Sequence, residues 1–368
     1  MIGTILLFLA LLSLLVLAHE FGHFWMARKM GMKVEEFGFG FPPRAFGFRR
    51  GGVLYSVNWI PLGGFVKIKG ESGSQMNDPD SFASKPAYKR FLVLIAGVVM
   101  NIVLATVLFG VGFMVGLPSV ISDDISPRAQ VRDEAIRIVR VLPDSPAETA
   151  GLSIGDVIVS VDDQLFAETL PLYDYLKVQE QPMEFLLRRG DAFVTKTASR
   201  GVIEGVEGSF LGIEVVRTGF VSYPFFEAIA RGVITALEMT GQIVVAFGGL
   251  LRDLFTTASV GVDVSGPIGI AVMTGEVAKL GFGYLIQFAA ILSINLAVIN
   301  VLPFPALDGG RVLFLVIEKL RRKRASETVE AMTHNLGFLV LMGLVVLVTY
   351  RDLARFGDQI IGVVKSLF

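Results

Sequence analysis

Apolar residues in this chain gather in long unbroken runs instead of the short periodic patches of a water-soluble fold. Four runs reach or approach the length that crosses a bilayer: Ile2 to Met26, Phe91 to Leu117, Leu280 to Leu302 and, the shortest, Leu336 to Tyr350. Ser13 to Ala18 has the look of a signal-peptide core. No Lys or Arg precedes it, however, so the first run reads as a retained transmembrane helix. Between the second and third runs lies a polar stretch, Pro118 to Val221, long enough for one small folded domain. The pattern predicts an α-helical integral membrane protein of about four transmembrane helices with an inserted extracytoplasmic α+β domain.

Alternation changes within the first polar loop. Leu54 to Lys69 carries β-branched and aromatic runs on either side of Pro61-Leu62-Gly63-Gly64, which predicts a β-hairpin over residues 53–70. Open sheet edges cannot face lipid, so a hairpin at membrane depth has to line a protected or water-filled cavity. The expected division is 1–117 for the N-terminal membrane part with this hairpin, and 118–220 for the inserted domain. Residues 221–279 form a linker, and 280–368 the C-terminal membrane part. In the linker, Glu227, Arg231, Glu238 and Gln242 share one face of an apolar helix, as in an amphipathic helix on the outer membrane surface.

Composition agrees with the runs: 53% of residues are hydrophobic, mean hydropathy is +0.63, and 29 Phe stand against 2 Trp. There is no cysteine, so disulfides and thiolate ligands are excluded and any zinc must use His and carboxylate. A net charge of -1 conceals an asymmetry that orients the chain. Arg28, Lys29 and Lys33 follow the first run, and Lys85, Lys89 and Arg90 precede the second. Lys319, Arg321, Arg322, Lys323 and Arg324 follow the third. By the positive-inside rule these loops are cytoplasmic. The 118–220 domain, with Asp123 and Asp124 at its start, and both termini are then extracytoplasmic. The basic run at 319–324 is the solvated loop that this topology needs, and no nucleic-acid partner is expected.

At the cytoplasmic end of the first run stands His19-Glu20-Phe21-Gly22-His23, an HExxH pattern. Histidines four apart share a helix face, so both imidazoles can reach one metal ion with Glu20 beside its water as general base. A catalytic zinc takes three protein ligands and keeps one position open. Asp308, in Asn300-Val301-Leu302-Pro303-Phe304-Pro305-Ala306-Leu307-Asp308-Gly309-Gly310, emerges on the same side and is the candidate third ligand. Its alternative role is to cap the helix after a Pro- and Gly-rich break. His334, the third histidine, opens the fourth run and reads as structural or snorkelling.

HEFGH in the first run, NxxPxPxLDGGR at the third and one intervening PDZ-like domain resemble the site-2 protease family of intramembrane zinc metalloproteases, in particular the bacterial branch that includes RseP and RasP. The resemblance covers essentially the whole chain. It implies one zinc per chain bound by His19, His23 and Asp308, with Glu20 as catalytic base. Asn300 matches the motif asparagine proposed to contact substrate backbone, a helix-helix hydrogen bond being the alternative. A β element near Gly63, Gly64 and Phe65 is a further substrate-binding candidate, holding an unwound segment as an added strand. Leu142 to Glu148 with Ala150 to Ile158 resembles a bacterial PDZ domain, which takes a peptide C-terminus or serves as a size filter. Ser265 to Ile270 resembles a family segment without assignable chemistry. The implied partners are the lipid bilayer and single-pass transmembrane substrates such as anti-sigma factors or remnant signal peptides, in the bacterial cytoplasmic membrane. The competing reading is a non-catalytic scaffold with a PDZ recruitment domain and a structural zinc. A metal transporter is disfavoured because the spans are mostly apolar.

Overall fold

The structure, a computed structural model, describes residues 2–71, 75–121, 125–190, 192–203, 206–257, 265–323 and 326–365. Asp123, Asp124 and Arg324, used in the charge reading, lie outside these residues. The chain divides into two units, residues 1–111 with 229–368, and residues 112–228.

The first unit is built on helices α1 (Ile2–Lys29) and α2 (Ala87–Val115), with a β element between them. Its C-terminal part contributes α5 (Phe225–Thr257, from Ile229 onward), α6 (Pro267–Leu280), α7 (Phe282–Val301), α8 (Asp308–Arg321) and α9 (Glu327–Lys365). The first and fourth predicted runs each lie within one helix; the second leaves its helix after Val115, with Leu117 in a strand, and the third starts at the last residue of α6 and continues through α7. The fourth is much longer than its apolar core, with an apolar window from Thr328 to Arg355. By length and composition Phe225–Leu250 within α5 is also able to cross a membrane, making five such helices among the described residues. Gly232 of α5 meets the backbone of Gly110 and the Thr106 carbonyl of α2, a small-residue approach of the kind that brings membrane helices together. Leu11, Leu15 and Ala289 are buried between α1 and α7.

The β element is larger than the sequence predicts. Strand β1 (Val34–Arg50) and strand β2 (Val53–Ile68) are joined at Gly51 and Gly52, whose φ values of +60° and +82° suit only glycine without strain. The hairpin turn is therefore at 51–52, and Pro61 to Gly64 lies within β2. The predicted arms 54–60 and 65–69 do not pair with each other. They flank the first half of β1: Phe37 lies beside both Tyr55 and Val66, and Gly38 beside both Ser56 and Phe65. Residues 44–50 then pair with 53–58 on the outer side. The reason is the alternation Phe37-Gly38-Phe39-Gly40-Phe41, which reads by propensity as a loop. Gly38 in fact admits the Phe65 ring and the Ser56 hydroxyl, and Gly40, at φ +75°, admits the Ile60 carbonyl. A core of Phe24, Ala27, Met32, Val34, Val53, Ile68, Phe82, Val93, Leu94 and Leu315 ties α1, this sheet, α2 and α8 together.

In the second unit six strands lie in the order β3 (Leu117–Val120), β10 (Ile213–Ser222), β4 (Gln130–Val141), β5 (Val157–Val161), β6 (Met183–Arg189) and β7 (Ala192–Ala198), all pairs antiparallel. A second pair, β8 (Gly201–Ile203) and β9 (Val206–Phe210), stands apart from that sheet. Helices α3 (Pro146–Thr149) and α4 (Thr169–Val178) complete the unit, over a core that includes Ile138, Leu172, Phe185 and Leu187. In the segment whose sequence resembles a PDZ domain, β4 is followed by the short helix α3, a turn with Gly151 and Gly155 at positive φ, and β5.

Candidate metal centre

His19 and His23 lie one turn apart on the last third of α1, and both are 7% exposed. Their Nε2 atoms are 3.1 Å apart. Oδ2 of Asp308 lies 3.0 Å from the first and 3.2 Å from the second. One ligand atom from each residue therefore falls within 4.8 Å of the others. Tetrahedral zinc with bonds near 2.0–2.1 Å would separate its ligand atoms by about 3.3 Å, so the set fits that ion with small adjustments. The donor chemistry agrees: three groups with lone pairs converge, which without a cation would be unfavourable, and each imidazole keeps its other nitrogen on a separate partner. Nδ1 of His23 donates to the Val93 carbonyl at 2.8 Å, the contact that turns Nε2 toward the centre.

Asp308 reaches this position because α7 ends at Val301 and the chain turns back over Leu302 to Leu307. Asp308 is the first residue of α8, and its carboxylate points at the histidines instead of capping the helix. Both following glycines are sterically required. A Cβ on Gly309 would strike the Val301 and Leu302 carbonyls, and one on Gly310 the Phe304 carbonyl. Ala306, at φ +79°, donates its N–H to Nδ1 of His334 at 3.0 Å. His334 is thus a structural support for the ligand loop, as its position at the head of the fourth run suggests.

Glu20 lines the same cavity as the histidines and accepts a hydrogen bond from the backbone N–H of Val66 at 3.1 Å. The cavity here, about 190 Å³, is lined by His19, Glu20, His23, Phe65, Asp308 and Arg311 among others. Arg311 pairs with Glu71 at its rim. Of the hairpin candidates, Phe65 lines the cavity. Gly63 and Gly64 pack farther along α1, against Val16 and Leu17. Asn300, half-buried near the end of α7, is not among the residues lining this cavity.

Several neighbours of the centre are invisible to motif reading. Gly97 of α2 faces both imidazoles: an added Cβ would overlap His23 Nε2 and sit 2.7 Å from His19 Cε1. One turn on, the Asn101 amide lies 3.4 Å from His19 Nδ1. The available signal was a glycine and an amide four residues apart in an otherwise apolar run. Val66 carried none, because it acts through its backbone.

Residues 7–344 match the family model described as "Peptidase family M50". The chain belongs to that family. Zinc metalloprotease RasP of Geobacillus kaustophilus is 27% identical over 435 residues, covering 96% of this chain and 98% of the relative. RasP of Oceanobacillus iheyensis is also 27% identical, covering 96% and 99%. A Clostridium perfringens relative, CPE1693, is 34% identical over 345 residues, covering 93% and 96%. A solved PDZ domain of an SdrC-like protein from Listeria monocytogenes is 20% identical and covers 23% of this chain and 92% of its own, at a TM-score of 0.21. As a member of peptidase family M50 this chain is a multi-pass membrane protein and a zinc metalloprotease, and its resident cofactor is zinc.

Proposed function

We propose that His19, His23 and Asp308 hold the zinc and that Glu20 is the general base in hydrolysis of peptide bonds inside transmembrane segments. The observation that carries this reading is the convergence of three ligand atoms within 4.8 Å, from residues 285 positions apart, around a cavity that also contains Glu20. Bound zinc supplies a Lewis acid for the scissile carbonyl and brings the pKa of water to about 7. Glu20 takes a proton from the attacking water and returns it to the leaving nitrogen. Its Oε2 is held by Val66, which leaves Oε1 free for that transfer.

A helical substrate hides its peptide bonds in internal hydrogen bonds and has to unwind before cleavage. The segment Gly64 to Ile68 pairs with β1 on one side only, and its other side, where the Val66 N–H points, meets Glu20. An unwound substrate is proposed to add there as a strand, past Phe65. The substrates proposed are single-pass membrane proteins already trimmed by another protease. The basic loops support a reaction near the cytoplasmic face of the cytoplasmic membrane. Asn300 is retained as a substrate contact only for the bound state.

The test compares Glu20→Gln with Asp308→Ala in purified full-length protein, measuring zinc content and cleavage of a tagged single-span substrate. Glu20→Gln is expected to keep zinc and lose cleavage, and Asp308→Ala to lose both. Persistent cleavage by Glu20→Gln with zinc retained would overturn the assignment of Glu20 as the general base.

A further inference from the structure

Asn101 is 0% exposed in the middle of α2, inside the membrane part of the chain. A buried amide has to satisfy two donors and a carbonyl oxygen, and in hydrocarbon an unsatisfied one is costly. Here Nδ2 lies 3.4 Å from Nδ1 of His19, and Oδ1 has no partner. The backbone of the same residue is pinned separately, because Ser293 of α7 donates its hydroxyl to the Asn101 carbonyl at 2.8 Å. The side chain is therefore not needed to join α2 to α7. Among the described residues that side chain has one polar partner, the His19 imidazole.

His19 turns Nε2 toward His23 and Asp308. When Nε2 is a metal ligand its lone pair is used there, and the proton of the neutral ring sits on Nδ1. A protonated Nδ1 needs an acceptor. His23 has one in the Val93 carbonyl, and among the described residues the group in the matching position for His19 is the Asn101 amide. Which end of an amide is oxygen is set by its hydrogen-bond partners. Rotating the amide by half a turn puts Oδ1 on Nδ1–H and leaves Nδ2 in the unpartnered place. Either orientation strands one end of the amide, so satisfaction of the core does not explain the residue, whereas the demand of a metal-ligating His19 does.

We infer that Asn101 is a positioning residue that accepts the His19 Nδ1 proton through Oδ1, fixing the tautomer and ring angle in which His19 binds zinc. The inference rests on the proposed metal assignment of His19. Gly97, one turn earlier on the same face, provides the space in which the ring can turn, and Asn101 removes that freedom.

The experiment measures zinc release to a competing chelator, and the visible spectrum after cobalt substitution, in purified full-length Asn101→Leu and Asn101→Asp. Leu keeps the size and removes the acceptor; Asp keeps an acceptor and removes the donor. Asn101→Leu is expected to bind zinc roughly 10- to 100-fold more weakly with an altered cobalt spectrum, while Asn101→Asp binds at least as tightly as the parent. Parental zinc retention by Asn101→Leu overturns the inference, as does equal weakening in both variants. Should Asn101→Leu fail to fold, Asn101→Asp decides, since weakened binding in that variant contradicts an acceptor role. If His19→Ala keeps zinc, the metal assignment itself fails, an outcome separable from failure of Asn101 alone.

Discussion

The backbone N–H of Val66 donates to Oε2 of Glu20 at 3.1 Å, so the unpaired side of the Gly64 to Ile68 segment meets a carboxylate that lines the same cavity as the two histidines. That N–H is not available to β1, which makes Val66 a strand position where proline costs the sheet little. Val66→Pro is expected to keep zinc and fold while lowering the cleavage rate roughly 10- to 100-fold through misplacement of Glu20. Single-turnover cleavage beside metal analysis checks this. An unchanged rate would show that the contact does not orient the base.

Gly97 offers a harsher perturbation. Its Cβ-free surface accommodates both imidazoles, and an added methyl would sit 2.7 Å from His19 Cε1. Gly97→Ala is expected to weaken zinc binding by roughly tenfold or more, although alanine favours the helix. Helical content by circular dichroism, set beside zinc stoichiometry, separates the two effects.

In the inserted unit the carboxylate of Asp156, 1% exposed, receives Arg189 at 2.7 and 2.8 Å and the Ser153 N–H at 2.9 Å. Burial raises its pKa, but the Arg189 and Ser153 hydrogen bonds outweigh it and hold the group below the usual carboxylate range. Its folded pKa is below its unfolded one. The stabilisation is therefore fully present above about pH 4 and is lost as pH falls through the folded value. Asp156→Asn should cost roughly 1–3 kcal/mol at neutral pH and remove that acid dependence. Hydrogen exchange of β5 amides against pH provides the readout.

Asp352 of α9, 4% exposed, accepts the Gly266 N–H at 3.2 Å and the Gly269 N–H at 2.7 Å. It supplies from another helix the cap that Gly266, lacking a side chain, cannot give α6. Asp352→Ala should loosen the first turn of α6 by roughly 1–2 kcal/mol, seen as faster exchange at Gly269 and Ile270. Unchanged protection there would exclude the capping role.

Much of this was open to a reader of the residues alone, for physical reasons that differ by site. His19, Glu20 and His23 share one helix, where spacing alone fixes a common face. Asp308 is legible only through the charge asymmetry, which predicts that two distant helix ends share one side, and its carboxylate does lie beside both imidazoles. The sheet was misjudged because Phe-Gly alternation depends on partners across the sheet: Gly38 is a strand residue only when Phe65 and Ser56 fill its missing side chain. Val66 and Val93 act through the backbone, which every residue has, so no side-chain pattern reports them. Ser265 to Ile270 carried no chemistry of its own, and its purpose became apparent only with Asp352 beside it.

The 285 positions between His23 and Asp308 also have a meaning in time. At roughly 5–20 residues per second, a ribosome that has placed both histidines needs on the order of a quarter of a minute to a minute more to add the aspartate. Throughout that interval the growing chain, itself a series of apolar segments, carries only two of the three proposed zinc ligands. On the proposed assignment, a nascent copy is unable to cleave until Asp308, more than four-fifths of the way along the 368 residues, has been added.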